Sequence, residues 1–501
     1  MQKNRAGSLK PAPSPNRTDQ HHDAPSENDA SSGNKAADSA DARPVGSAMI
    51  PQVGLGDALY LPRPRFAERR PEMPVTKPSA RAYRQNDEGN AERFAEMFCD
   101  QVMYVAQWKR WHVWDGARWE YDRSGGVRRL MLNGLARARA NTKGLSEDDA
   151  KKFRNFLSAS EDNKNIKAAL EAASVNRLLY VLPEELDSDP WLLNVMNGTI
   201  DLRTGRLRKH NPSDGITKLV PHGYYPDAEY PTFDAYIKRA MQGSDEMVRY
   251  LQRCVGYSLT GIVSEKAFFL LYGPTDTGKT RLVTMLHDLM GPDYSTKIPT
   301  STLTVKRYAG VPNDLAKLKG ARLASADEFS ENQRLDVELV KKLIGGTGQL
   351  ITARFMRADF FDFLPEFALW VDTNEKPTIK ELDSAIYNRM HPIPFLVQIP
   401  KRPVEEGGQD KFLSEKLRDE MAGILRWAVE GCLMWQEEGL NPPDEVLLAR
   451  AEYEHEENEL AQFHEEYYRK VGEGRADKGR MFKLYCRWRT TTPSRRKRST
   501  R

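Results

Sequence analysis

The densest chemistry in the sequence lies in eight residues, Gly273-Pro274-Thr275-Asp276-Thr277-Gly278-Lys279-Thr280, a GxxxxGK[ST] pattern. Gly273 and Gly278 let the backbone curl so that successive N–H groups point at phosphate oxygens, and a helix starting there adds its N-terminal dipole. Lys279 is placed to reach the β- and γ-phosphates and the Thr280 hydroxyl to ligate a metal, so ATP and Mg²⁺ are the expected cofactors. Such a loop needs a strand before it and a helix after it. Ala267–Tyr272 is an apolar run of strand length, and Leu282, Val283, Leu286 and Leu289 follow at helical spacing.

The loop alone leaves kinase, GTPase, transporter ATPase and motor open. Ala321–Ala326 reads as a second strand ending in Asp327-Glu328, 48 residues after Lys279. An acidic pair at a strand end suits ATP hydrolysis: Asp327 holds Mg²⁺ through its water shell and Glu328 polarises the attacking water, while a solvated acidic turn is the bland alternative. A third strand, Phe367–Asp372, ends at Thr373-Asn374. The Asn374 amide both donates and accepts, as orienting a water or sensing a γ-phosphate requires, although a turn residue before Lys376-Pro377 has the same composition. Arg389 follows and suits a finger reaching the ATP of a neighbouring subunit, or a surface ion pair. No NKxD sequence is present, against a GTPase.

Between the acidic pair and Asn374, residues 345–357 read as a strand over Leu350–Phe355 flanked by glycines and basic residues. Arg354, Phe355 and Arg357 offer charge and a stacking face to DNA, with Lys341 and Lys342 just upstream. From the residues alone, a structural β-hairpin and a DNA-contacting loop fit equally.

Other elements must position these groups. Residues 1–85 are rich in Pro, Ser, Ala, Asp and Arg, with no aromatic residue before Tyr60, so they are expected to be disordered. Trp108, Trp111, Trp114 and Trp119, with an Asp115-Gly116 turn signal, read as a small β segment. Its aromatics serve either as core or, with Lys109, Arg110 and Arg118, as stacking groups for bases. Helices are expected over Leu130–Arg139, Asp148–Ala173 and Pro231–Leu259, and a hairpin over Leu192–Gly205 with its turn at Asn197-Gly198.

Lys+Arg number 75 against 71 Asp+Glu, a net charge of +4 that excludes a uniformly basic nucleic-acid coat protein. The total averages a net −7 over residues 441–474 with a net +10 over 475–501, and the basic end suits phosphate contact or a solvated tail. A mean hydropathy of −0.66 is low for a chain that is all core. Cys99, Cys254, Cys432 and Cys486 form no CxxC pair, which points away from a zinc ribbon and towards a reducing, cytoplasmic setting. No apolar stretch approaches the ~20 residues of a membrane span, and the N-terminus lacks the apolar core of a signal peptide.

The ordered series resembles the helicase half of phage and plasmid primase-helicases, a superfamily 3 family akin to the poxvirus primase-helicase. The likeness runs from about Asp87 to Trp488. It is carried by Asp87–Ala91, Trp114-Asp115-Gly116, Asn197–Leu202, Tyr250–Tyr257, the 273–280 loop, Gly346–Arg354, Thr373–Pro377, Arg389 and Leu484–Trp488. The resemblance implies an α/β fold: a P-loop NTPase core of AAA+-like type, an α+β N-terminal accessory domain and a C-terminal winged-helix-like region. The implied domains are 1–85 disordered, 86–235 helicase-associated, 236–400 ATPase core, 401–440 its helical end, and 441–501 a truncated winged-helix-like region with a basic tail.

By the same resemblance the chain is an ATP-hydrolysing DNA helicase of replication, acting on single-stranded or forked DNA as a homo-hexamer in the cytoplasm of a bacterial host of a phage, prophage or plasmid. Lys279 and Thr280 are assigned to ATP and Mg²⁺, Asp327 and Glu328 to hydrolysis, Asn374 to sensing, Arg389 to the finger in trans, and the Arg354 hairpin to DNA. Thr277 stands where relatives usually carry Asn. No catalytic primase domain is recognisable upstream, and Asp187-Ser188-Asp189 reads as a loop, so a separate primase is the expected partner. A non-unwinding DNA-binding ATPase, either an origin-binding switch or an inactive remnant, is the alternative from a different class. A metabolic kinase would need a substrate lid for which no motif is present.

Overall fold

A computed structural model of the 501-residue chain describes residues 83–305, 313–326, 328–329, 333–345, 348–356, 359–379, 384–402, 406–468 and 475–491. The expected disordered segment therefore lies almost wholly outside the described residues, as do Asp327, Arg357 and the last ten residues of the basic tail.

The described chain opens with α1 (Asp87–Phe98), β1 (Val102–Val105), β2 (Arg110–Trp114), β3 (Trp119–Tyr121), α2 (Gly126–Ala140), α3 (Glu147–Ser160), α4 (Asn163–Ser174) and β4 (Tyr180–Val181). A three-stranded meander, β5 (Leu192–Val195), β6 (Gly198–Asp201) and β7 (Arg206–Arg208), precedes α5 (Pro231–Ala240) and α6 (Asp245–Ser258). The middle comprises β8 (Phe268–Tyr272), α7 (Lys279–Tyr294), β9 (Ser295–Ile298), α8 (Asn313–Ala316), β10 (Leu323–Ala326), α9 (Val337–Leu343), β11 (Ile351–Arg354), β12 (Phe360–Phe363), β13 (Ala368–Thr373), α10 (Ser384–Arg389) and β14 (Met390–Pro394). Five helices close it: α11 (Leu413–Asp419), α12 (Met421–Glu438), α13 (Asp444–Glu457), α14 (Glu459–Tyr467) and α15 (Lys478–Thr491).

The central sheet has the order β14-β8-β13-β10-β9, and every pairing in it is parallel. Its central strands β8 and β13 read as near-continuous apolar runs because both faces are covered. Phe269, Leu271 and Trp370 point into one core with α6, α7 and α12, whereas Phe268, Leu270, Leu369 and Val371 point into the other. The first core also takes Leu193, Val195 and Ile200 of the meander and Phe233 of α5. α6 and α12 approach closely through two glycines: a Cβ on Gly256 would lie 2.0 Å from the Cys432 nitrogen, and one on Gly431 2.1 Å from the Gln252 carbonyl oxygen.

The Trp-rich segment is a four-stranded sheet, β3-β2-β1-β4, backed by α1–α4. Three local expectations shift. The stretch Asp148–Ala173 is two helices, because Ser160 turns its hydroxyl back to the Phe156 carbonyl (2.9 Å) while accepting from Asn90, and the chain turns at Glu161-Asp162. Pro231–Leu259 divides where Gln242 and Gly243 take positive φ, after which Ser244 caps α6 by accepting from the Met247 N–H. The β5–β6 turn is Met196-Asn197, one residue earlier than Asn197-Gly198, since Val195 pairs with Gly198 and the Asn197 amide is held by both backbone groups of Tyr224 at 2.9 Å. Among the described residues beyond 440 the chain is helical, without a strand to form a wing. No helix among the described residues is long and apolar enough to cross a membrane.

Candidate functional site

β8 delivers the chain to Gly273 at the C-terminal edge of the parallel sheet, and α7 begins at Lys279, so the 273–280 loop has the expected strand–loop–helix setting. Gly273 has φ +142, and a Cβ there would lie 2.1 Å from the Phe395 carbonyl oxygen; Gly278 caps α7 at φ +97. Asp276 also takes a positive φ. Its carbonyl accepts from the Ile399 N–H at 2.8 Å, and Lys401 lies 3.5 Å from its carboxylate, so the segment after β14 braces the outside of the loop. Thr277 is buried, and its hydroxyl closes the loop onto the Pro274 carbonyl at 3.0 Å.

The Lys279 ammonium, 5% exposed as a residue, donates to the carbonyls of Gly273 (2.8 Å) and Pro274 (2.6 Å) and to Asn374 Oδ1 (2.9 Å). Burial pushes its pKa below the ordinary lysine value, opposed by the charges of Asp372, Glu328 and Asp276. Asn374 in turn donates through Nδ2 to Glu328 Oε1. One amide therefore joins the loop lysine to the carboxylate that follows β10. The structure brings Lys279, Glu328 and Asn374 together at the ends of the adjacent strands β8, β13 and β10.

Asp372 was not singled out by its sequence. It is 7% exposed near the end of β13 and accepts from the Thr280 hydroxyl at 2.7 Å. The available signal was a carboxylate closing an otherwise apolar strand, Ala368-Leu369-Trp370-Val371-Asp372, whose burial calls for a partner. Thr280 Oγ1 and the Asp372 carboxylate are hard oxygen donors of the kind Mg²⁺ takes. Asp327, the other expected metal ligand, lies outside the described residues. A cleft of about 280 Å³ opens beside Thr280, walled by Arg281, Asp288 and Arg418.

Arg389 does not join this group. It ends α10, donates towards the Lys341 carbonyl (3.4 Å) and precedes Met390, which pairs with Phe268 at the opposite end of β8 from Gly273. β11 and β12 form the expected antiparallel hairpin, Arg354 opposite Phe360. The Arg354 guanidinium covers the Phe360 ring at 5.0 Å, and Phe355, beyond the strand, is exposed and stacks on Phe361 at 5.4 Å. Arg357 lies outside the described residues.

Residues 91–242 match the family described as D5 N terminal like. The matched stretch ends just beyond α5, whose Tyr236 hydroxyl donates to the Gly278 carbonyl at 2.7 Å and so touches the 273–280 loop. Burial raises the Tyr236 pKa and keeps that hydroxyl a donor.

The chain is similar to viral proteins that carry helicase names. It is 26% identical over 377 residues to "Putative helicase L207/L206" of Acanthamoeba polyphaga mimivirus, covering 68% of this chain and 39% of that protein. It is 27% identical over 312 residues to "Putative helicase 121R" of Invertebrate iridescent virus 3, covering 57% and 33%. With "Putative helicase V13" of Sputnik virophage it shares 21% over 321 residues, covering 58% and 40%. The matched stretches thus span two fifths or less of these relatives. Among solved structures, the apo C terminal region of NrS-1 superposes with a TM-score of 0.44 at 9% identity, covering 70% of this chain and 72% of that one. The resemblance to the primase-helicase family read from the motif series holds, through the D5 N terminal like domain and these viral relatives.

Proposed function

We propose that the chain is an ATP-hydrolysing DNA motor of the helicase type, built on a P-loop NTPase core and coupling hydrolysis to DNA unwinding during replication. The observation that carries this is Asn374, which accepts from Lys279 and donates to Glu328 at the C-terminal edge of the sheet. The helicase names of the relatives and the D5 N terminal like domain support the same class.

ATP phosphates entering the loop compete with the carbonyls of Gly273 and Pro274 for the Lys279 ammonium, which arrives already desolvated and charge-balanced. A phosphate that takes Lys279 frees the Asn374 oxygen, and Glu328 then exchanges its amide partner for the attacking water, as a general base requires. Thr280 and Asp372 would hold Mg²⁺, with Asp327 of the sequence pattern as a further ligand, and the ion would neutralise charge on the phosphates. Arg389 lies at the far end of β8 from its own loop and serves the ATP of a neighbouring copy in a head-to-tail ring, which the family resemblance makes a homo-hexamer. Arg354 and Phe355 on the hairpin contact the translocated strand.

The test is hydrolysis and strand displacement by the purified chain. Lys279→Ala should abolish DNA-stimulated ATP hydrolysis, and hydrolysis that survives it sinks the assignment. On a forked duplex the wild type should separate the strands; DNA binding and hydrolysis without separation would make the chain a non-unwinding ATPase instead.

A further inference from the structure

We propose that Trp108, Arg110 and His112 of the N-terminal sheet, together with Phe355 of the β11–β12 hairpin, form a cleft that takes an unpaired base of single-stranded DNA. The four residues line an open cleft of about 400 Å³ where the β1–β2 turn and β2 meet the end of β11. The role rests on the DNA motor proposed above and adds a second contact for the strand, on a domain to which no such role is assigned.

Alternation along β2 builds one wall. Trp111 and Val113 turn into the helix-backed core, so Arg110 and His112 occupy the other face of the sheet, where His112 pairs with Tyr121 across β3. The turn between β1 and β2 closes with the Lys109 N–H on the Ala106 carbonyl (3.0 Å), Lys109 at φ +52, and leaves Trp108 at its tip, 42% exposed. The Trp108 ring sits 5.7 Å from that of His112, and the Arg110 guanidinium covers the Tyr121 ring at 4.8 Å. Phe355 of the hairpin completes the lining, with Phe361 stacked against it at 5.4 Å.

Aromatic rings with one arginine in the lining match a flat, polarisable base attached to an anionic backbone. Duplex bases are already stacked and offer no free face, so the occupant is single-stranded. His112 is 5% exposed, and burial pushes its pKa below the ordinary value while the Arg110 carbonyl opposes the shift. The ring therefore stays neutral at neutral pH and offers an aromatic face rather than a charge suited to a phosphate. Arg354 next to Phe355 places a backbone contact one residue from the stacking contact.

The experiment is fluorescence anisotropy of the full chain with a dT20 oligonucleotide, an abasic 20-mer of the same charge, and rU20. Wild type should bind dT20 more tightly than the abasic strand. Trp108→Ala should weaken dT20 binding about 5- to 100-fold, the range of one lost base stack, and erase the preference over the abasic strand. Trp108→Phe should restore most of the preference, and Phe355→Ala should remove the same preference as Trp108→Ala rather than a further increment. A Trp108→Ala protein that still favours dT20 to the wild-type degree overturns the proposal, as does rU20 binding more tightly than dT20. ATP hydrolysis is scored separately. Wild type without DNA-stimulated hydrolysis but with Trp108-dependent base preference sinks the motor and keeps the cleft, and the converse result sinks the cleft alone.

Discussion

Replacing Asp372 by Asn tests whether the buried carboxylate beside the loop belongs to the metal-binding machinery. Asp372 is 7% exposed and accepts a hydrogen bond from the Thr280 hydroxyl at 2.7 Å, and its charge is the leading electrostatic support for the buried Lys279 ammonium. Asn keeps the shape and one acceptor oxygen, removes the charge and replaces the second oxygen with an amide donor. A hydrogen bond to a charged acceptor is worth about 1.5–3 kcal/mol against about 0.5–1.5 for a neutral one, a difference of roughly 1–1.5 kcal/mol. At about 1.4 kcal/mol per factor of ten, this becomes a five- to tenfold effect. The assay is steady-state ATP hydrolysis over a Mg²⁺ titration with ATP fixed. Half-saturating Mg²⁺ should rise about five- to tenfold in Asp372→Asn, with a smaller fall in the rate at saturating Mg²⁺. An Asn variant with wild-type Mg²⁺ dependence refutes the reasoning and leaves Asp372 as a structural tie between β13 and α7.

Two further outcomes follow from packing and burial. Gly256→Ala drives a methyl to 2.0 Å from the Cys432 nitrogen, a backbone atom that cannot swing aside, so the α6–α12 contact must open. The melting temperature should drop by several degrees, corresponding to about 1–3 kcal/mol, and an unchanged melt contradicts the close approach. Burial holds His287 down at about 4 and His391 at about 3, the latter with its Nδ1 2.6 Å from the Tyr250 hydroxyl. Both rings stay neutral in the fold while the unfolded chain binds protons below about 6.5. Stability is therefore full above about pH 6.5 and falls as pH drops towards 4, by up to ~1.4 kcal/mol per pH unit for each ring. Urea midpoints at pH 7 and pH 5 check this, and equal midpoints would show that the rings are not buried neutral.

The loop and its flanks were legible because their chemistry is local. GxxxxGK[ST], an apolar strand before it and a helical apolar spacing after it are all properties of consecutive residues, and β8 and α7 fall where those signals place them. Glu328 and Asn374 were also legible, each as a polar residue at the end of an apolar run. Asp372 was missed because its significance lies in Thr280, on an element 92 residues away in sequence. The helix breaks at Glu161-Asp162 and at Gln242-Gly243 were missed for a different reason. Neither is marked by proline, and apolar spacing continues across both, so periodicity alone joins what Ser160 back-bonding and positive φ separate. The β5–β6 turn slipped by one residue because Asn-Gly is a strong turn signal, and the Asn197 side chain is instead engaged by the Tyr224 backbone.

Position along the central sheet decides which of the expected hydrolysis residues can act within one chain. Lys279, Glu328 and Asn374 all lie past the C-terminal ends of parallel strands, and parallel strands deliver such ends to one edge. Arg389 enters β14 at Met390, opposite Phe268, four residues before Tyr272. At about 3.3 Å per residue that is about 13 Å along the strand, further than an arginine side chain extends towards a phosphate in the loop. A part for Arg389 in hydrolysis therefore requires a second copy whose loop meets this chain's far edge, and the contact must be head to tail, because one edge of the sheet faces the opposite edge of the next. The proposals of a finger in trans and of a ring thus stand or fall together. Within its own chain Arg389 is held only near the Lys341 carbonyl at the end of α9, which leaves its guanidinium without a carboxylate partner in the described ion pairs and with donors to offer a neighbour's phosphate.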